Sequence, residues 1–320
     1  MIGAYRTALL CVLLTLVSCA SPPRNADEHV VVPPSTAPIE LERSSRSTVA
    51  LVLGGGALRG FAHVGVIKVL EEHGIRPDLI VGVSAGSFVG ALYAAGYQAD
   101  DLKRLALGVE RGELVDYSLG WFGLIKGQAL QEYVNEHLNR RPIEALQIPL
   151  AVVATDFQTG QFNVFNRGDA GMAVRASSSI PGWFHPVVID GRRYVDGSLV
   201  SPIPVCVARH MGAAFVIAVD VSYAPEQTSI SNPLNIPFQT MHIMAQALSA
   251  HQIKAADVAI RPKISGDVSF DNKQALIRAG EVAAIGALAE IKTLLAVGKQ
   301  LPSQEFASVC PPMNGRITPR

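Results

Sequence analysis

Ser84 is the side chain around which chemistry could be built. It sits in Gly82-Val83-Ser84-Ala85-Gly86, a G-x-S-x-G pattern whose glycines permit a sharp strand-to-helix turn and lift the hydroxyl clear of a sheet. Upstream, Gly54-Gly55-Gly56-Ala57-Leu58-Arg59-Gly60 offers backbone N–H groups near a helix N-terminus, where a transient oxyanion could be held. A hydroxyl beside amide donors is the equipment of acyl transfer through a serine nucleophile. The glycine run fits a phosphate cradle poorly. It lacks the Lys-Ser/Thr ending of a P-loop, places three residues before its last glycine, and has no acid closing a second strand.

Serine needs a base. A histidine late in the chain would complete a hydrolase triad, yet none has a partner suggested by position. His185 precedes Pro186, His210 lies in an apolar segment, His242 and His251 fall in a predicted helix, and His63 sits on the first helix. All five read as packing or surface residues. Among the carboxylates, Asp156 and Asp220 close buried strands, Asp190 fits a hairpin turn, and Asp196-Gly197 follows a strand. The residues by themselves leave Asp156, Asp196 and Asp220 level as candidates.

These side chains require positioning elements. Val49 to Leu53 and Asp78 to Val83 read as buried strands, each followed by a glycine turn and a helix, a βαβα unit. Both turns should open at the carboxyl edge of one parallel sheet, where open α/β sheets bind ligands. Further strands are predicted at 149–156, 161–166, 213–221 and 256–260, with helices at 100–107, 128–138, 170–179, 238–254 and 273–297. Asp190-Gly191 between two β runs predicts a hairpin with a type I′ turn. The apolar, glycine-broken stretch Tyr117 to Ile125 reads either as a wall or lid over the acyl site or as a buried connector.

Composition bounds the class. A hydrophobic fraction of 49 % and a charged fraction of 17 % suit an α/β domain with a sizeable core. Lys+Arg and Asp+Glu both number 27, so no basic surplus invites nucleic acid. The first 18 residues read as a targeting signal, with one positive charge before an apolar run too short to span a membrane. Leu16-Val17-Ser18-Cys19 resembles the lipobox of bacterial lipoproteins, which implies cleavage before Cys19 and a lipid on its sulfur. A plain secretory signal and an uncleaved anchor are the other readings. Ala20 follows where aspartate marks inner-membrane retention in enterobacterial lipoproteins, so the expected place is the outer membrane, facing the periplasm. Residues 19–47 read as a tether rich in Pro, Ser and charge, 48–300 as the folded domain, and 301–320 as a loosely ordered tail. Cys206 and Cys310 are expected as free thiols, since two distant cysteines make no framework.

Four motifs in order resemble a patatin-like phospholipase domain of the bacterial and neuropathy-target-esterase-like branch. They are Gly-x-Gly-x-x-Arg-Gly, Gly-Val-Ser-Ala-Gly, Ala176-Ser177-Ser178-Ser179-Ile180-Pro181-Gly182, and Tyr194-Val195-Asp196-Gly197. The likeness runs from about Thr48 to Cys206. It implies a three-layer α/β/α fold with a mainly parallel central sheet, a Ser84–Asp196 dyad and no metal or other cofactor. It also implies an oxyanion hole in the loop of Gly54, Gly55, Gly56, Ala57, Arg59 and Gly60. Gly82 and Gly86 then frame the elbow, and Gly197 and Ser198 follow the acid. Leu53 departs from the aspartate of plant patatins, and Ser198 from the usual Gly or Ala. The implied substrate is a phospholipid or lysophospholipid. A lipid-binding scaffold without catalysis and a transacylase are the competing functions, and neither head group nor oligomeric state is legible.

Overall fold

Strand β1 (Val49–Leu53), helix α1 (Phe61–Glu72) and strand β2 (Leu79–Val83) form the expected opening unit, and both strands are buried along their whole length. The computed structural model describes residues 48–120, 123–222, 236–266, 268–297 and 310, all within one compact unit spanning Val32–Arg320. The expected signal 1–18, Cys19, the tether 19–47 and, Cys310 apart, the tail 301–320 lie outside these residues. After β2 come α2 (Ala85–Ala94), α3 (Ala99–Gly108), the short α4 (Arg111–Leu114), a hairpin of β3 (Tyr117–Gly120) and β4 (Gly123–Ile125), and α5 (Gln128–His137). Then follow β5 (Leu150–Asp156), β6 (Phe162–Phe165), α6 (Ala170–Ser177), β7 (Val187–Ile189), β8 (Arg192–Asp196) and α7 (Val205–His210). β9 (Phe215–Val219), α8 (Ile236–Gln252), β10 (Val258–Ile260) and α9 (Lys273–Val297) complete the series.

The sheet has eight strands in the order β10-β9-β1-β2-β5-β8-β7, with β6 also on β5. From β10 to β5 all pairings are parallel, whereas β6, β7 and β8 join antiparallel. Side-chain alternation splits the core between two faces. Leu51, Leu53 and Ile80 pack with α1, α2, α6 and α9, while Ala50, Val52 and Val81 face α7 and Ile253. This is a mixed α/β fold with a mainly parallel central sheet covered on both faces, as the resemblance implies. The β7–β8 turn is of type I′, with Asp190 and Gly191 at φ 48° and 73°.

The pairing registers explain how the site is assembled. β2 pairs with residues 150–153 of β5, β6 with 152–155, and β8 with 154–156. Two partners cannot share one edge at the same residue, so β6 takes one edge of β5 and β2 and β8 lie end to end along the other. Val83 sits opposite Val153, and Asp196 opposite Ala154. The carboxyl ends of β2 and β8 therefore meet. A Cβ at Gly197 would collide with Val153 O and press on Val83 Cγ2 at 2.7 Å, so this junction demands glycine.

One expectation is overturned. Cys206 and Cys310 form a disulfide rather than standing as free thiols. Distance in sequence does not measure distance in space: α7 presents Cys206 to a pocket in which Cys310 is buried. Val205, Val207 and Ala208 of this helix are buried in the core beside it. The cysteines are 104 residues apart, and closing a loop of that size restrains the unfolded chain by roughly 4–5 kcal/mol. Reduction, or Cys310→Ser, should lower the melting temperature by on the order of 10 °C. An unchanged melting curve in reductant would show that the bridge carries no stability.

Candidate active site

Ser84 occupies the elbow between β2 and α2 with φ 51° and ψ −126°. A non-glycine residue held there stores roughly 1–3 kcal/mol of backbone strain, which the packing around it must sustain. Gly86 makes the tight turn possible, because a Cβ there would strike Leu53 O and Gly54 O; a Cβ at Gly82 would press on the Ser87 backbone. The Ser84 N–H donates to Ser177 Oγ at 2.8 Å, and the Ser177 hydroxyl donates to Val153 O at 2.6 Å. The elbow is thus tied to β5 through a buried serine of α6.

Ser84 Oγ donates to Asp196 Oδ2 at 2.7 Å, and the two residues are 5 % and 1 % exposed. Asp196 Oδ1 accepts from Ser198 N at 2.8 Å. The Asp196 backbone is fixed as well, its N–H donating to Ser179 O and its carbonyl accepting from Thr155 Oγ1. Burial pushes the Asp196 carboxyl above its ordinary range, against the opposing pull of the Ser198 and Ser84 hydrogen bonds. Of the three carboxylates the residues left level, only Asp196 meets Ser84. Asp156 is paired with Arg192 at 2.8 Å, and Asp220 with Arg261 at 3.5 Å and with Ser222 N.

The amides of the glycine loop divide, which narrows the expected oxyanion set. Gly54 N donates to Val219 O, Gly55 N to Pro202 O and Arg59 N to Gly56 O, so those three serve the fold. Among the described residues, Gly56 and Ala57 give their N–H groups to no carbonyl, and both line the space in front of Ser84. Gly60 packs on the elbow, where a Cβ would meet Ala85 Cβ at 2.6 Å. The Arg59 guanidinium reaches Ser222 O at 3.4 Å.

Two histidines do more than the sequence suggests. His63 is fully buried with Nε2 2.8 Å from Gly54 O, and burial lowers its imidazole to about 4. It is therefore neutral near pH 7, and Nε2–H donates to the carbonyl of the glycine loop. His242 lines the same space as Ser84 and is held down to about 4 by burial and by the Arg59 charge. Helical periodicity gave no sign of this, because α8 reaches the site only through the crossover from β9. The stretch 117–125 forms the β3–β4 hairpin, with Tyr117 and Leu124 exposed and Ile125 buried; Trp121 and Phe122 lie outside the described residues.

A second space opens beside Ser84. This cavity of about 220 Å³ runs between α1, α2, α3 and α5, with walls that include Phe61, Phe88, Val89, Leu105 and Ala106. An apolar cavity of about 150 Å³ already accommodates benzene, so a longer hydrocarbon fits here. Among the described residues, no cluster of His, Cys, Asp or Glu could hold a metal, and no helix is long and apolar enough to cross a membrane.

Residues 51–209 match the family described as "Patatin-like phospholipase". An uncharacterised NTE family protein of Mycobacterium tuberculosis is 33 % identical over 220 residues, which are 68 % of this chain and 61 % of that protein. Patatin-like phospholipase domain-containing protein 6 of Homo sapiens is 35 % identical over 193 residues, 58 % of this chain and 14 % of that protein. The chain thus spans about three fifths of the mycobacterial relative and about one seventh of the human one. The crystal structure of VipD from Legionella pneumophila superposes with a TM-score of 0.51 at 13 % identity, covering 87 % of this chain and 72 % of that one, a likeness of fold.

Proposed function

Through residues 51–209 this chain belongs to the patatin-like phospholipase family, and on that premise we propose that it is a serine hydrolase of lipid acyl esters. The observation that carries the reading is the Ser84–Asp196 hydrogen bond of 2.7 Å at the mouth of an apolar cavity of about 220 Å³. Ser84 Oγ attacks the ester carbonyl carbon while Asp196 Oδ2 takes the hydroxyl proton. The oxyanion forms beside the N–H groups of Gly56 and Ala57. As the tetrahedral intermediate collapses, Asp196 returns the proton to the departing alcohol. A water then attacks the acyl-serine with Asp196 again as base, the acid is released and Ser84 is restored. Burial of Asp196 supports the role of base, because a carboxylate in its ordinary range accepts protons weakly at neutral pH.

The substrate in this reading is a phospholipid or lysophospholipid whose acyl chain enters the cavity. Fatty acid released from phosphatidylcholine and lysophosphatidylcholine, measured by mass spectrometry, should appear with the wild type and vanish with Ser84→Ala. Release that survives Ser84→Ala would exclude the assignment. Ala106→Phe, which fills the cavity, should cut kcat/KM for long-chain esters by roughly 10–100-fold and for acetyl esters far less. An unchanged chain-length profile would show that acyl chains bind elsewhere.

The placement belongs to the same proposal. The Leu16–Cys19 sequence supports cleavage and lipidation at Cys19, which would hold the domain at the cell envelope, at the outer membrane facing the periplasm. A disulfide between Cys206 and Cys310 suits an oxidising, exported location. A tether at the membrane raises the local concentration of lipid substrate without adding specificity.

A further inference from the structure

The two sides of Ser84 are unequal. The acyl side is the cavity of about 220 Å³. The opposite side, between Gly55, Asp196 and Ser198, is covered by Met241, His242 and Ala245 of α8, and only about 30 Å³ is left there. That is room for about two waters. An ester has an acyl half and an alcohol half, and the glycerol-bearing half of a phospholipid does not fit beneath α8 as it stands.

The outward face of α8 is apolar too. Ile236, Ile243 and Met244 are 56 %, 51 % and 53 % exposed. Exposed aliphatics also occur on α9, as Val282 and Ile285, but α9 mixes them with Lys273, Arg278, Glu281, Glu290 and Lys292. The 17 residues of α8 include no Asp, Glu, Lys or Arg. The apolar rim continues beyond the helix. Phe238 meets the Trp183 ring at 6.5 Å, and Trp183 O accepts from the N–H groups of Leu124, which is exposed, and Ile125. On the inner side, Ser249 Oγ is buried without a hydrogen-bond partner among the described residues, so α8 is seated with an unmet polar group.

We propose, resting on the hydrolase reading above, that α8 is a lid whose outer face docks on an uncharged lipid surface, and that docking uncovers the alcohol side of Ser84. The bias comes from the inner face. In water, lifting α8 exposes Phe238, Met241 and Ala245, which opposes opening. At a lipid–water interface the same residues enter an apolar medium, so the open state loses that penalty, whereas burial of the outer face is common to both states and serves to bring α8 to the surface. With no formal charge on α8, the attraction is independent of anionic lipid and of salt.

The test is the rate at which a water-soluble fluorophosphonate labels Ser84 in the full chain, with and without phosphatidylcholine vesicles, at low and high salt. Any N-terminal lipid tethers every variant equally, so the comparison reports the state of the lid. Vesicles should accelerate labelling by about tenfold or more, the scale of one or two aliphatic side chains transferred from water. The acceleration should be equal at both salt concentrations. Ile243→Ser combined with Met244→Ser should remove most of the acceleration while keeping the vesicle-free rate, which also proves the variant folded. Ala247→Lys, at an exposed position of the same helix, should do the same. Equal wild-type rates with and without vesicles would overturn the lid while leaving the hydrolase reading intact. So would acceleration that survives these substitutions, or that needs phosphatidylglycerol and low salt. No labelling under any condition would overturn the hydrolase reading itself, and the lid with it.

Discussion

Asp196→Asn is expected to slow acylation of Ser84 by about 10²–10⁴-fold, the usual contribution of a positioned general base. Asparagine is nearly isosteric with the carboxylate. Its Oδ1 can still accept from Ser198 N, and its Nδ2 can donate to Ser84 Oγ, reversing the bond that now runs from Ser84 to Asp196. The packing survives and the base is lost. Burial raises the folded-state pKa of Asp196, so its contribution to stability is present at low pH and fades as pH rises through that value. Above that value the ionised carboxylate therefore destabilises the fold, and the neutral amide removes that cost. The variant should melt at or above the wild-type temperature at pH 7, with the difference shrinking as pH falls through the carboxyl's folded pKa. The same raised pKa places the acid limb of wild-type labelling above the ordinary carboxylate range. Full activity in Asp196→Asn, measured by labelling rate, would exclude Asp196 as base. A dead but poorly folded variant would show that Asp196 acts through structure.

Gly55→Ala is expected to cost about 10²-fold in kcat with little change in KM, the penalty typical of misplacing a reacting group by about 1 Å. The loop holds no left-handed strain at Gly55, so the reason is space. A Cβ would collide with Ser198 Oγ and stand 3.3 Å from Ser84 Cβ. Relief requires Ser198 to move, and its backbone N–H is what holds Asp196 Oδ1. Pairing Gly55→Ala with Ser198→Gly removes the struck atom and should recover a good part of the lost rate, whereas Ser198→Gly alone should be mild. Steady-state kinetics on a soluble short-chain ester check this, and a fully active Gly55→Ala would show that the loop lies clear of the reacting atoms.

Much of this arrangement is legible in the residues, for identifiable reasons. β1, β2 and β5 are apolar runs bounded by turn residues, and each strand lies where its run predicts. The G-x-S-x-G elbow and the Asp190-Gly191 hairpin are local patterns whose geometry follows from a few adjacent residues. What is not legible depends on register and crossovers. Asp156, Asp196 and Asp220 look alike in sequence, each at the end of an apolar run. The family resemblance singles out Asp196, and the pairing of Ala154 with Asp196 explains physically why it is the one beside Ser84. The partition of the loop amides turns on Val219 O and Pro202 O, which lie far along the chain. His242 and the Cys206–Cys310 bridge depend in the same way on where later segments return to the sheet.

The most direct measurement is the site of covalent modification. Full-length protein treated with a fluorophosphonate and digested for peptide mass spectrometry should carry a single phosphonyl adduct on Ser84, formed in the wild type and absent from Ser84→Ala. An adduct on another residue, or an unmodified and well-folded wild type, would contradict the assignment of Ser84 as nucleophile.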